Sequence, residues 1–290
     1  MTDLTSQRRA RTAVTVAFAA QGFLLAALLT QLPRYESRFQ LAASLIVVAV
    51  VTVSLIAGGG SILAEQIVRR SSSKSALVTG LVVIAVAGGA IGLAQSTATF
   101  FVLLGLYGLG VGIIDAAANM QAVSIQHAYG RVILSSFHAA WSAGAIIGAL
   151  FVAAAVGLGM SLTATQVSAG LVVAGALAVI APRFLSTTSG VAPGAPAPAG
   201  APEDSTVPAR ALLALGAAMA MFYAVDFSVG NWSALYLTNV LLADAGTAAL
   251  GIAAYQCAAL LSRTTGDWWV RRHGEKTVVR AGALIGTAGL

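Results

Sequence analysis

The sequence has few charged residues and a single cysteine. Of its 290 residues, only 9% are Asp, Glu, Lys or Arg, whereas 58% are hydrophobic, and soluble domains carry about 25% charged residues. This composition excludes an ordinary soluble domain and indicates an integral membrane protein. Cys257 alone cannot form an internal disulfide or a metal site of several cysteines.

Motifs for catalysis and cofactor binding are also absent. The sequence contains no metal-ligand cluster, no phosphate-binding loop, and no nucleophile with a base at a suitable spacing. We therefore expect no cofactor, no metal and no enzymatic activity. The net charge of +6 would favour a nucleic-acid partner only if the basic residues lined a soluble face. They flank apolar runs instead, so we expect no nucleic acid as a partner.

Long apolar runs dominate the chain. Eight of them reach the roughly 20 residues that a helix needs to cross a bilayer. They predict spans over 13–32, 42–64, 75–94, 98–123, 133–156, 163–182, 210–237 and 246–262. A ninth run begins near Thr277 and is still apolar at Leu290, so the chain looks truncated after the start of a ninth helix. The expected fold is an all-α integral membrane protein with eight complete spans and a partial ninth.

The distribution of Lys and Arg predicts the orientation. With the amino terminus in the cytoplasm, only two of the 16 Lys and Arg residues, Arg34 and Arg38, fall outside. Cytoplasmic loops carry an excess of these residues. We expect a multi-pass protein of the cytoplasmic (inner) membrane with a cytoplasmic amino terminus, and a monomer.

A change in composition divides the chain. Between Pro182 and Pro208 the residues are mostly Pro, Ala, Gly and Ser, which is typical of a flexible linker. We therefore predict a six-helix bundle over 1–182, a cytoplasmic linker over 183–209, and an incomplete second bundle over 210–290.

An internal repeat supports this division. Glu65 is matched by Asp267, 202 residues later. At the same offset, five further residues of the loop after the second span recur after the eighth: Val68, Arg69, Arg70, Lys74 and Gly80 return as Val270, Arg271, Arg272, Lys276 and Gly282. Two halves joined by a long inner loop are typical of a parallel-repeat transporter.

Polar residues inside the spans are the candidate site residues. An ionisable residue in the hydrocarbon region is costly, by at least about 2.5–3.5 kcal/mol for Asp, Lys or Arg, which makes Asp115 the first candidate. His138 lies almost as far after the turn near His127 as Asp115 lies before it. In a helical hairpin the two side chains would lie at one depth and could pass a proton. The alternative is a polar pair that only fixes helix packing.

Further candidates lie on other predicted spans. Asp226 is a second candidate for proton coupling, because its helix corresponds to the first helix of the other half. For substrate binding the predicted residues are Gln21, Asn119, Trp141, Asn231, Tyr255 and Gln256. Gln21 could instead form an interhelical hydrogen bond. Glycines at 105, 108, 110 and 112, and Gly144 and Gly148, are best explained by close helix packing.

The repeated loop resembles that of the major facilitator superfamily. The family motif is Gly-x-x-x-Asp-x-x-x-Arg-Arg-x-Gly-Arg-Arg, and the segment from Arg263 to Gly274 is similar to it, whereas the first copy has Glu65 for Asp and Ser72 for Gly. The resemblance implies a two-bundle fold and a charge-relay latch on the cytoplasmic side. It assigns gating to Glu65, Arg69, Arg70, Asp267, Arg271 and Arg272. Alternatively, these arginines only follow the positive-inside rule.

Within the superfamily, the fourth and fifth spans resemble the fucose-permease-like branch of sugar-uptake carriers. The segment from Asp115 to Gln121 and the segment from Ser136 to Gly144 carry this resemblance. In such carriers an acidic residue in span four is the proton site, which implies that role for Asp115. The chain lacks the arginine in span four and the Gly-Pro in span five of drug/proton antiporters, which favours uptake.

The predicted function is secondary active transport of a small solute, a sugar or related polar metabolite, by alternating access with proton-coupled uptake. The expected partners are this solute, the proton and the lipid bilayer. Two alternatives stay open: proton-coupled efflux of an amphipathic compound, and a membrane sensor on the same fold that does not transport.

Overall fold

The computed structural model describes residues 4–130, 133–186 and 208–289, and in these ranges every regular element is helical. The ten α-helices are α1 (Leu4–Thr30), α2 (Leu32–Phe39), α3 (Ala43–Arg70), α4 (Ser73–Ala90), α5 (Thr97–Tyr129), α6 (Leu134–Gly157), α7 (Leu162–Ile180), α8 (Ala209–Asn239), α9 (Ala245–His273) and α10 (Glu275–Gly289). Short 3₁₀ turns extend α4 over Ile91–Leu93 and α7 over Ala181–Arg183. The predicted all-α fold is confirmed.

Most of the long helices can cross a membrane. In the described part of the chain, seven helices are long and apolar enough to do so: α1, α3, α4, α5, α6, α7 and the first part of α8. The eighth predicted span lies within α9, which has 29 residues but a more polar sequence. The partial ninth span corresponds to the 15-residue α10. The sequence analysis did not predict α2, which places Pro33 in its first turn and buries Tyr35.

Side-chain caps start several of these helices. The hydroxyl oxygens of Ser72, Ser96 and Ser161 accept hydrogen bonds from backbone N–H groups of the first turns of α4, α5 and α7. Oδ1 of Asp244 accepts two such bonds at the start of α9. Such caps pair backbone donors that have no partner within the helix. At the other end of α5, Gly130 adopts a φ of 62°, the left-handed conformation that commonly ends a helix.

Glycines let neighbouring helices approach closely. A Cβ atom on Gly144 of α6 would lie 1.9 Å from the backbone oxygen of Ala19 in α1, and one on Gly112 of α5 would lie 1.8 Å from that of Ala57 in α3. Both distances are far below van der Waals contact, so a side chain cannot fit at either position. The predicted packing role of these glycines is confirmed.

The helix neighbours differ from a simple hairpin order. Helix α6 packs on α1 and α9, whereas α5 packs on α3 and α4, and α5 and α6 hardly touch. The hairpin expected to bring Asp115 and His138 together is therefore wrong. Short loops join successive helices, but packing on α1 decides which helices become neighbours.

The two parts of the chain meet at a small-residue interface. Its buried residues come from α1, α6, α8 and α9: Ala26, Ala145, Ala149, Ala234, Ala248, Ile252 and Ala253. On the α2 side, Nδ2 of Asn239 donates a 3.1 Å hydrogen bond to Oε2 of Glu36. Most of the predicted linker over 183–209 lies outside the described residues, as does Arg131, so the division into domains stays a prediction.

Candidate functional site

Asp115 and Gln21 form the centre of the candidate site. Nε2 of Gln21 on α1 donates a 2.7 Å hydrogen bond to Oδ1 of Asp115 on α5. Gln21 is buried, and its Oε1 has no hydrogen-bond partner among the described residues. Protein surrounds Asp115 at longer range, yet the residue keeps substantial accessible surface. Such a combination is typical of a group on the wall of a cavity.

The cavity opens toward the second part of the chain. Tyr223 of α8 lies within electrostatic range of Asp115 on α5, and also of Asp226 and Arg263. The Asp115 carboxylate therefore faces the other helices across the interface rather than only lipid. Groups from α1, α5, α8 and α9 surround this space.

Asn119 lies one turn from Asp115 but does not bind its carboxylate. Its Nδ2 donates a 2.8 Å hydrogen bond to the backbone oxygen of Asp115. A side chain that bonds to the preceding turn of its own helix is a common arrangement for polar residues inside helices. Asn119 keeps a side-chain oxygen and one further N–H for a ligand.

His138 lies apart from Asp115. The His138 ring packs edge-on against Phe18, with centroids 5.3 Å apart, and in the described part of the chain no hydrogen bond joins His138 to Asp115. The separation follows from the packing of α6 on α1 rather than on α5. The direct proton exchange inferred from equal depth is therefore not supported.

Arg263 of α9 binds α6 at the place where the predicted site residues His138 and Trp141 lie. Its Nη1 donates hydrogen bonds to Oγ of Ser142 and, at 3.3 Å, to the backbone oxygen of His138. Its guanidinium carbon lies 5.6 Å from the centroid of the Trp141 ring, within cation–π range. One guanidinium thus connects the two parts of the chain.

Asp226 forms the counterpart of the Asp115 pair. The hydroxyl of Tyr255 on α9 donates a 2.6 Å hydrogen bond to Oδ1 of Asp226 on α8. Gln256, the next residue, is buried, and its Oε1 has no partner among the described residues. The side chain of Asn231 lies outside the described residues. Each acid of the site therefore receives a hydrogen bond from a neutral side chain of its own half.

The predicted gating residues lie at the ends of α3 and α9. Glu65 and Arg69 form a 2.6 Å ion pair within α3, and both side chains are exposed. Arg70 is exposed, and Arg272 stacks over Trp268 at 5.4 Å. The side chains of Asp267 and Arg271 lie outside the described residues. Where the structure describes these residues, the pairs lie within single helices and join no two elements.

Sequence reasoning missed Arg263 as a site residue. It was assigned only to the loop after the eighth span, because the apolar run ends just before it. Helix α9 continues for ten residues beyond Arg263, to His273, so this arginine lies within the helix rather than in a loop. Its distance of two turns from the basic pair at 271 and 272 is the signal that separates it from them.

Comparison with known proteins gives two relatives. The chain is 31% identical over 202 residues to a protein of Yersinia pestis named an uncharacterized MFS-type transporter, which covers 68% of this chain and 50% of that protein. It is 29% identical over 205 residues to the uncharacterized transporter y4wD of Sinorhizobium fredii, covering 69% and 52%. The chain spans about half the length of the curated relatives it matches. No protein-family model matches it.

Proposed function

Because the chain is a homologue of MFS-type transporters of the major facilitator superfamily, we propose that it moves a small polar solute across a membrane by alternating access. Seven apolar helices make it a multi-pass membrane protein, and its named relatives are transporters rather than enzymes. The observation that carries the proposal is the pair of hydrogen-bonded acids, Asp115 and Asp226, one from each half, around a shared space.

Contacts between the halves suit a rocking motion. Small alanine side chains line most of the buried interface, so the two surfaces can move past each other without interlocking. Polar contacts lie on both sides of it, between Glu36 and Asn239 near α2 and between Arg263 and Ser142 past the midpoint of α9. In alternating access one of these contacts opens while the other stays closed.

The Asp115–Gln21 pair is suited to proton coupling. In the structure the amide N–H₂ of Gln21 faces the carboxylate. When Asp115 carries a proton, its new O–H can donate to Oε1 of Gln21, the buried oxygen that has no partner among the described residues. A rotation of one amide would thus satisfy both protonation states, and the neutral state crosses the membrane more readily.

Other residues complete the proposal. Asp226 serves as a second proton site, and His138 assists from the position it shares with Arg263. The solute is a sugar or related polar metabolite, bound by Gln21, Asn119, Trp141, Asn231, Tyr255 and Gln256. The gating residues named above act at the cytoplasmic ends of α3 and α9, in a monomer of the inner membrane whose amino terminus is cytoplasmic.

One observation favours the efflux alternative. An apolar cavity lies between α1, α3 and α5, lined by residues such as Leu25, Leu29, Val53 and Phe101. It would accept the hydrophobic part of an amphipathic compound. This cavity contains none of the acids of the candidate site, so it does not explain why Asp115 and Asp226 lie in the membrane.

A panel of radiolabelled solutes, tested in right-side-out and inside-out vesicles at controlled pH, examines the proposal. We expect saturable uptake of a polar solute that increases with an inward proton gradient. Outward transport of amphipathic compounds would support the alternative instead. Specific binding without flux would indicate a sensor and contradict transport.

A further inference from the structure

Arg263 has unused hydrogen-bonding capacity in the membrane region. A guanidinium has five N–H donors, and in the described part of the chain only Nη1 makes hydrogen bonds, to Ser142 and the His138 carbonyl. The edge formed by Nε and Nη2 has no acceptor there. Arg69 shows what this edge can do, because its Nε and Nη2 both bind one oxygen of Glu65, at 3.1 and 2.6 Å.

The charge of Arg263 is also unbalanced. Among the described side chains no carboxylate lies within 4 Å of the guanidinium, since the one ion pair found there joins Glu65 and Arg69. The two acids of the site are occupied by Gln21 and Tyr255. A charged residue in a membrane span is expensive unless it faces a cavity or finds a partner.

We propose that Arg263 binds a carboxylate group of the transported solute. The inference rests on the proposed transport function and narrows its substrate class to small carboxylates, rather than neutral sugars. The free Nε–Nη2 edge matches the two oxygens of a carboxylate in a bidentate arrangement, which a guanidinium provides and an ammonium does not. Contact with Trp141 and the Nη1 bonds to α6 hold the guanidinium plane in place for this.

The remaining polar groups fit the rest of such a solute. Gln21, Asn119 and Tyr255 offer hydrogen-bonding atoms to hydroxyl groups, while the acids near Tyr223 attract an ammonium. A hydroxy acid and an amino acid share the carboxylate that Arg263 would bind. Binding of either solute would neutralise the guanidinium while it stays bonded to α6, so both halves of the chain would contact the same ligand.

Matched pairs of solutes test the inference. The whole gene product in proteoliposomes, with an inward proton gradient, would be offered glucuronate and glucose, galacturonate and galactose, and alanine and alaninol. We expect at least one acid to enter tenfold faster than its neutral or amino-alcohol partner. Preference for the sugar acids indicates a hydroxy acid, and preference for alanine indicates an amino acid.

Variants at position 263 connect this preference to the arginine. Arg263→Gln should lower uptake of the preferred acid at least tenfold, while Arg280→Gln, which removes an exposed arginine of α10, should leave it unchanged. Ser142→Ala should retain the acid preference because the guanidinium is still present. Size-exclusion chromatography checks folding. If the Gln variant is not monodisperse, Arg263→Lys replaces it and should raise the KM for the acid several-fold.

The outcomes separate the two proposals. Equal uptake of acids and their partners, with Arg263→Gln and Arg263→Lys both unaffected, overturns the carboxylate inference and leaves transport standing. An acid preference that survives in the folded Gln variant also overturns it. No uptake of any solute in a broad panel would contradict the proposed function itself.

Discussion

Nε2 of Gln21 donates a 2.7 Å hydrogen bond to Oδ1 of Asp115 and so connects α1 to α5 at the wall of a cavity. Gln21 is 94 positions earlier in the chain, and local sequence patterns do not predict such a pair. The pair identifies the one carboxylate of the first half that faces the second half, and the function proposed here depends on it.

Removal of the Gln21 amide should impair coupled uptake. Gln21→Ala takes away both the donor to Asp115 and the buried oxygen proposed to accept its proton. A hydrogen bond to a charged group is worth about 1.5–3 kcal/mol, so we expect uptake driven by a proton gradient to fall tenfold or more. Gln7→Ala, near the start of α1, is the control. Wild-type coupling in the Gln21 variant would show that the amide has no part in it.

Tyr255 should matter through its hydroxyl alone. Tyr255→Phe removes the group that donates to Asp226 at 2.6 Å and keeps the ring. We expect a KM for the solute at least tenfold higher, because the same range of energy is lost. The exposed Tyr236 provides the control Tyr236→Phe. Equal transport kinetics in the two variants would exclude a role for the Tyr255–Asp226 pair.

Close packing of α1 on α6 gives a prediction about stability. Gly144→Ala would place a Cβ 1.9 Å from the Ala19 backbone oxygen, so the helices must separate. Overpacking of this kind costs about 1–3 kcal/mol, which should appear as a lower Tm in detergent. Gly175→Ala is the matched control, since its Cβ would meet no atom within 4 Å. A Tm for Gly144→Ala equal to that of the control would contradict the observed helix contact.

The Glu65–Arg69 pair should contribute little to stability. Exposed i,i+4 pairs are worth about 0.3–0.5 kcal/mol, and both side chains here are exposed. We therefore expect Glu65→Gln to leave the Tm nearly unchanged while it reduces the transport rate, because the proposed role of Glu65 is gating. Glu275→Gln, at the start of α10, serves as the comparison. Normal transport by the Glu65 variant would leave the pair as a feature of orientation only.

The sequence predicted the elements better than their neighbours. Apolar runs indicate where helices lie, and the close contact at Gly144 follows from a small residue inside such a run. The pairing of Asp115 with His138 failed because sequence proximity suggested that α5 and α6 pack together, whereas α6 packs on α1 and α9. Tertiary packing decides such neighbours, and no local pattern reports it.

Arg263 shows a different kind of limit. Its position beside the apolar run indicated a loop, but α9 carries it on as a continuous helix to His273. A charge at the end of an apolar run is equally compatible with a membrane surface and with a polar cavity. Only its contacts with Ser142 and Trp141 separate these alternatives.

The most direct test of the account compares net uptake with exchange in the Asp115→Asn variant. Asparagine keeps the size of the side chain and removes the site that gains and loses a proton. Proteoliposomes with and without an imposed proton gradient would measure coupled uptake, and preloaded proteoliposomes would measure counterflow of the same solute. We predict that coupled uptake vanishes while counterflow survives. Loss of both activities, or of neither, would contradict the role of Asp115 as the proton site.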